Sequence, residues 1–222
     1  MPYYAIFLDL GERPCLVVGG GAVALGKVRG LLRAGARVTV VAERAIGRLR
    51  ALAAGGEIAL AERAYRRADM RGIHLAVAAT GDPEVNRRVA ADGERRGVLV
   101  NVVDVPALSS FISPATLERG ALQVAVSTSG TSPSFAAYLR DRLGEEIGPE
   151  YAAALAVLGG VRERLRSQDR PSEERRRVLR ALAERGLVGL VKARDRAGVD
   201  ELLGEVAGVD VTLDALGVRL GE

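Results

Sequence analysis

The segment Cys15-Leu16-Val17-Val18-Gly19-Gly20-Gly21-Ala22-Val23-Ala24 constrains the fold of this chain more than any other. An apolar run that breaks into glycines and resumes at helical spacing is a strand turning directly into a helix, the opening unit of a parallel α/β sheet. Its positions carry separate duties. Gly19 permits the tight turn, Gly21 lets a phosphate approach the backbone, and the small Ala24 allows the helix to pack close to the strand. The helix start at Ala22 and Val23 then offers unpaired N–H groups to an anion, the way such sheets grip a dinucleotide pyrophosphate. A glycine turn between strand and helix is also a plain structural solution, so the weight rests on the residues downstream of the turn.

Val23, Leu25, Val28, Leu31 and Leu32 keep helical spacing until Gly35, and a second strand follows over residues 37–42. Glu43, just past that strand, stands where an acid that hydrogen-bonds an adenine ribose is expected. Arg44 beside it is of the type that accommodates a 2′-phosphate, which Glu43 repels, so NAD is favoured with NADP left open. Both residues also read as ordinary solvated loop charges.

Strand and helix continue to alternate. Residues 45–54 read as a helix, 57–60 as a third strand, 74–79 as a fourth and 98–103 as a fifth. Asp82 and Pro83 open a helix that runs to about Arg96 and stops at Gly97. Five strands joined by helical crossovers make a Rossmann-type doubly wound parallel sheet the expected fold. Its ligand crevice lies beyond the carboxyl ends of the strands, which gathers Gly19 to Val23, Glu43, Thr80 and the stretch Asn101 to Asp104. Thr80 and Asn101 are therefore candidate cofactor neighbours. His74 falls at the opposite end of its strand and reads as structural.

Beyond residue 105 the pattern changes. Phe111 to Ser113 and residues 122–127 read as further strands separated by residues 114–120, extending the sheet or forming an arm. The loop Ser127-Thr128-Ser129-Gly130-Thr131-Ser132 opens a helix reaching Glu146, and its hydroxyl and N–H groups suit an anion or merely cap the helix. From residue 150 the chain reads as helical, with Ser172 as a cap. The expected organisation is a dinucleotide-binding domain over 1–112, a central region over 113–148 and a helical domain over 149–222.

With one cysteine and one histidine, no intramolecular disulfide and no zinc site of the usual ligand types are expected. The net charge of +4 comes from arginines spread over helices, with few aromatics, which argues against nucleic acid. No apolar run approaches membrane-spanning length and no leader is evident, so a soluble, unprocessed, cytoplasmic protein is expected.

Four pieces in this order resemble the precorrin-2 dehydrogenase and sirohydrochlorin ferrochelatase family of sirohaem synthesis. They are Tyr4 to Leu10; Val17 to Ala24 with Lys27 following; Asn101-Val102-Val103-Asp104 leading into Ser110-Phe111-Ile112-Ser113-Pro114; and Val126 to Pro133. The resemblance implies NAD-dependent oxidation of precorrin-2 to sirohydrochlorin, Asp104 as the catalytic carboxylate, a dimerising central region and hence a homodimer. It also implies residues 127–132 as substrate contacts, with ferrous iron as co-substrate if chelation accompanies oxidation. Asp104 otherwise reads as a turn residue before Pro106. The chain departs from many relatives at Gly26, where they carry a basic residue, and at Thr128, where some carry serine, which leaves any regulatory role of that position in doubt. Methyltransferase activity of the fused synthases is not expected. A reading of another class is an NAD(H)-sensing module built on the same fold.

Overall fold

The computed structural model describes residues 3–220, which form two compact units. The first runs to Ser113 and takes in Ser129–Thr131; the second comprises Pro114–Thr128 and the chain from Ser132 onward.

The first unit is built on five parallel strands: β1 (Pro14–Val18), β2 (Arg37–Ala42), β3 (Ile58–Glu62), β4 (Leu75–Ala78) and β5 (Leu99–Val102). They lie in the order β3-β2-β1-β4-β5, with Val18 level with Val41 on one side and Ala78 on the other. Strand order reverses at β1, so the chain leaves the carboxyl ends of β1 and β4 in opposite directions and opens a crevice there. Helices α1 (Ala22–Arg33), α2 (Gly47–Ala54) and α3 (Pro83–Glu94) complete the crossovers. All four residues of β4 are buried. That accounts for its unbroken apolar sequence, since both faces of the sheet are covered. Cys15, Val17, Val28, Val40 and Leu49 pack on one face, and Leu16, Val18, Val41, Met70 and Val89 on the other.

Local chemistry fixes the ends of these elements. The Asp82 carboxylate accepts the Glu84 N–H at 2.8 Å and caps α3, with Pro83 in the first helical position. On the far side of the same helix, buried Asp92 accepts the Tyr65 hydroxyl at 3.0 Å and an Arg95 N–H at 2.6 Å. Tyr65 belongs to the turn preceding β4, so this buried pair ties that turn to α3.

Two expectations are corrected after β5. Phe111 to Ser113 is not a strand: Ser110 and Ser109 fold the chain back along β5, where the Val100 and Val102 N–H groups donate to their hydroxyls at 2.8 and 2.9 Å. The apolar run there reflects Phe111 packing on the sheet core rather than a ladder. The strand lies instead in what reads as a connection. Ala115–Arg119 (β6) pairs antiparallel with Leu122–Val126 (β7) as a separate two-stranded sheet, so it does not extend the first.

The rest of the second unit is helical: α4 (Pro133–Glu146), α5 (Glu150–Ser167), α6 (Ser172–Glu184), α7 (Leu187–Lys192) and α8 (Arg196–Ala207). Val157, Val161, Leu165, Leu182, Leu187 and Leu203 form its core, each fully buried. Ser172 is the first residue inside α6 rather than its cap, since Pro171 holds the cap position. Among the described residues no helix is long and apolar enough to cross a membrane.

Candidate active site

The glycine turn is held from two sides. The Gly19 N–H donates to the Val41 carbonyl at 2.9 Å, and the Ile46 N–H donates to the Gly20 carbonyl at 2.9 Å. Gly19 sits at φ +133°, a region closed to most side chains, and a Cβ there would run into the Ala79 carbonyl. A Cβ on Gly20 would run into the Arg44 carbonyl. At Gly21 an added Cβ would meet nothing within 4 Å. Gly21 is the N-cap of α1, with no capping side chain and no acid in the first turn. The leading N–H groups of Ala22, Val23 and Ala24 have no intrahelical acceptor, so this terminus suits a phosphate on both steric and electrostatic grounds. Ala24 is fully buried against the sheet, as close helix packing requires, whereas Val23 stays exposed.

The hydrogen bond from Ile46 to Gly20 places the loop after β2 beside that turn, and with it Glu43 and Arg44. Both side chains are exposed and make no hydrogen bond or ion pair among the described residues. A dinucleotide fits: a backbone cradle for phosphate at Gly21 and a free carboxylate for a ribose at Glu43 stand at the same end of the sheet.

Thr80 and Asn101 are more committed than their positions suggest. The Thr80 hydroxyl accepts the Asp82 N–H at 3.1 Å and donates to Asn86 Oδ1 at 2.8 Å, bracing the turn between β4 and α3. Asn101 is buried in β5, and its Nδ2 donates to the Phe111 carbonyl at 3.1 Å, holding the returning loop.

Asp104 follows β5 at the crevice end. The Val103 N–H donates to the Ala78 carbonyl at 2.9 Å, which extends the β4–β5 pairing to the residue before it. Asp104 itself adopts φ +60°, the left-handed region that aspartate tolerates better than most non-glycine residues, and so turns the chain just beyond β5. Its carboxylate is exposed.

One neighbour was not assigned to the site from sequence. Lys27, on α1, extends its Nζ to Ser113 Oγ at 3.0 Å and feels the charge of Asp104. Burial pulls the lysine below its ordinary pKa, and Asp104 opposes that shift. The signal was a lone lysine on the otherwise apolar inner face of α1, between Ala24 and Val28.

Of the loop expected to touch substrate, Ser127, Thr128 and Ser132 belong to the second unit, and Ser129, Gly130 and Thr131 to the first. The Thr128 hydroxyl accepts the Ser132 N–H at 3.0 Å, and the Ser132 hydroxyl caps α4 by accepting the Phe135 N–H at 3.2 Å. Ser129 has φ +54°. Among the described residues no cluster of three or more His, Cys, Asp or Glu side chains suits a metal ion.

Residues 6–115 match a family model described as putative NAD(P)-binding, and residues 119–146 one described as sirohaem biosynthesis protein, central. The sirohaem synthase of Chromobacterium violaceum is 42% identical over 197 residues, covering 89% of this chain and 42% of that protein. That of Citrobacter koseri is 43% identical over 178 residues, covering 80% of this chain and 39% of the relative. The chain thus spans about two fifths of the length of these relatives. A solved structure titled SirC, precorrin-2 dehydrogenase, superposes with a TM-score of 0.76 at 26% identity, covering 92% of this chain and 98% of that one. The matches therefore take in the parallel sheet and the helical region together, and the chain belongs to the precorrin-2 dehydrogenase and sirohaem synthase family.

Proposed function

We propose that this chain oxidises precorrin-2 to sirohydrochlorin with NAD as hydride acceptor. The observation that carries the reading is the exposed Asp104 carboxylate, held at φ +60° at the same end of the sheet as the uncapped start of α1. Oxidation removes a hydride and a proton from the reduced macrocycle, and a nicotinamide, when bound, takes the hydride. Asp104 takes the proton or orients the carbon that loses it. Gly21 and the first turn of α1 hold the pyrophosphate. Glu43 favours NAD, because a carboxylate accepts the ribose hydroxyl and repels a 2′-phosphate. The hydroxyl loop 127–132 stands as a contact for the acid side chains of the substrate. The homodimer belongs to the same proposal: exposed, stacked Phe135 and Tyr138 on α4 suit an interface, and sedimentation should return a dimer mass.

Purified protein given precorrin-2 and NAD should form sirohydrochlorin and NADH in equal amounts. Asp104→Ala should cut kcat by about a hundredfold or more while NADH binding persists. Absence of turnover in the unsubstituted protein would sink the reading and favour the sensor. Iron insertion is a second reading, since a carboxylate with no hydrogen bond among the described residues suits uptake of pyrrole N–H protons. Sirohydrochlorin and ferrous iron without NAD should then yield sirohaem above the spontaneous rate.

A further inference from the structure

Lys27 is anomalous among the residues of α1. Its helical neighbours Ala24, Leu25, Val28 and Leu31 are core residues, and Lys27 is itself partly buried beside them. The stem of Lys27 packs on apolar neighbours while its hydrogen bond lies in an exposed setting, so the ammonium stays within reach of a ligand. Among the described residues its only hydrogen bond is to Ser113, a neutral hydroxyl, at 3.0 Å. No ion pair closes between Lys27 and Asp104, although the charge of Asp104 reaches it. An ammonium carries three donors, so two are left over. Ser113, accepting from Lys27, still has its own O–H to donate. An N–H of positive charge and an adjacent O–H are together complementary to the two oxygens of one carboxylate.

We infer that Lys27 and Ser113 form a carboxylate hook beside Asp104, seating one acid side chain of a polyacidic substrate. The inference rests on the function proposed above and adds a residue to it. Lys27 acts as an orienting group: anchoring a peripheral acid fixes which carbon of the macrocycle faces Asp104, while Asp104 stays free of a salt bridge and available for the proton. Binding a second carboxylate at Lys27 offsets the burial that now disfavours its charge.

The test uses Lys27→Met, which keeps chain length and removes charge, Lys27→Arg, which restores it, and Ser113→Ala. Each is assayed for KM and kcat with precorrin-2, for NADH affinity, and for binding of sirohydrochlorin to cofactor-free protein by its absorbance. Lys27→Met should raise KM and weaken sirohydrochlorin binding about tenfold or more, and should lower kcat as well because the reacting carbon is no longer held facing Asp104, with NADH affinity within about threefold of the parent. Lys27→Arg should recover most of the loss, and Ser113→Ala should show a smaller loss of the same kind. Unchanged KM and tetrapyrrole binding in Lys27→Met would overturn the hook while leaving the dehydrogenase reading intact, and a parallel loss of NADH affinity would reassign Lys27 to the cofactor. If the parent protein binds sirohydrochlorin through Lys27 without oxidising precorrin-2, the hook stands and the proposed activity falls. If it neither binds nor oxidises, both fall.

Discussion

An alanine at Gly20 would drive its Cβ into the Arg44 carbonyl, a backbone atom that cannot swing aside, whereas the same change at Gly21 meets only open space. The two substitutions should therefore separate stability from binding. Gly20→Ala should lose about 1–3 kcal/mol of stability by overpacking. Gly21→Ala should cost less than about 1 kcal/mol, since its extended backbone admits alanine, but should weaken NADH about tenfold by blocking the phosphate. Urea unfolding and NADH titration check the pair, and equal stability losses would contradict it. The tight turn at Gly19 was legible in the sequence because strand-turn-helix geometry is local. Gly20 was not, because its constraint is a carbonyl delivered by the return of β2. Asn101 could be placed at the crevice by strand position, but its hydrogen bond to the Phe111 carbonyl could not, because the fold delivers that partner. Lys27 was visible only as one member of a motif, since its neighbours Ser113 and Asp104 come together through the fold.

At the scale of elements, the buried parallel strands were the most readable, because a sheet covered on both faces writes itself as a continuous apolar run. β6 was opaque for the opposite reason: Thr116 and Glu118 are exposed on a two-stranded ribbon, and the polar alternation resembles a loop. The joint between the Tyr65 turn and α3 was also invisible, since no local pattern pairs a tyrosine with a distant aspartate. That joint sets a pH dependence. Burial alone would raise the Asp92 carboxyl, but hydrogen bonds from Arg95 and Tyr65 and the charges of Arg95 and Arg67 outweigh it and hold the carboxyl below its ordinary value. Asp69 is held low too, chiefly by its hydrogen bonds from Arg63. A carboxyl with a depressed folded pKa takes up its proton more readily in the unfolded chain. Its contribution is therefore complete above about pH 5 and is lost as pH falls below about 4 through the folded value. Asp92→Asn should lower stability at pH 7 by about 1–3 kcal/mol. The gap to the parent should narrow between pH 5 and pH 3 in urea unfolding. A gap that widens on acidification would contradict the assignment.

Among the described residues the buried cores are separate, two around the parallel sheet and one among α5 to α8, and every residue assigned to the nucleotide belongs to the first unit. This division predicts which core substitutions reach function. Leu182 is fully buried with Val161, Leu165 and Leu203, and Leu182→Ala should cost about 2–5 kcal/mol through lost transfer energy and the cavity it leaves. Leu16 is equally buried, but it lies in the strand that ends in the glycine turn. Leu16→Ala should cost a similar amount and also misplace Gly19 and Gly20, whose positions are fixed by backbone contacts to the ends of β2 and β4. Calorimetry with and without NADH, together with NADH titration at a temperature where both variants are folded, distinguishes the two. Leu182→Ala should lose stability yet keep NADH affinity within about twofold, and Leu16→Ala should lose both. Equal weakening of NADH by the two substitutions would mean that the helical core shapes the nucleotide site as well.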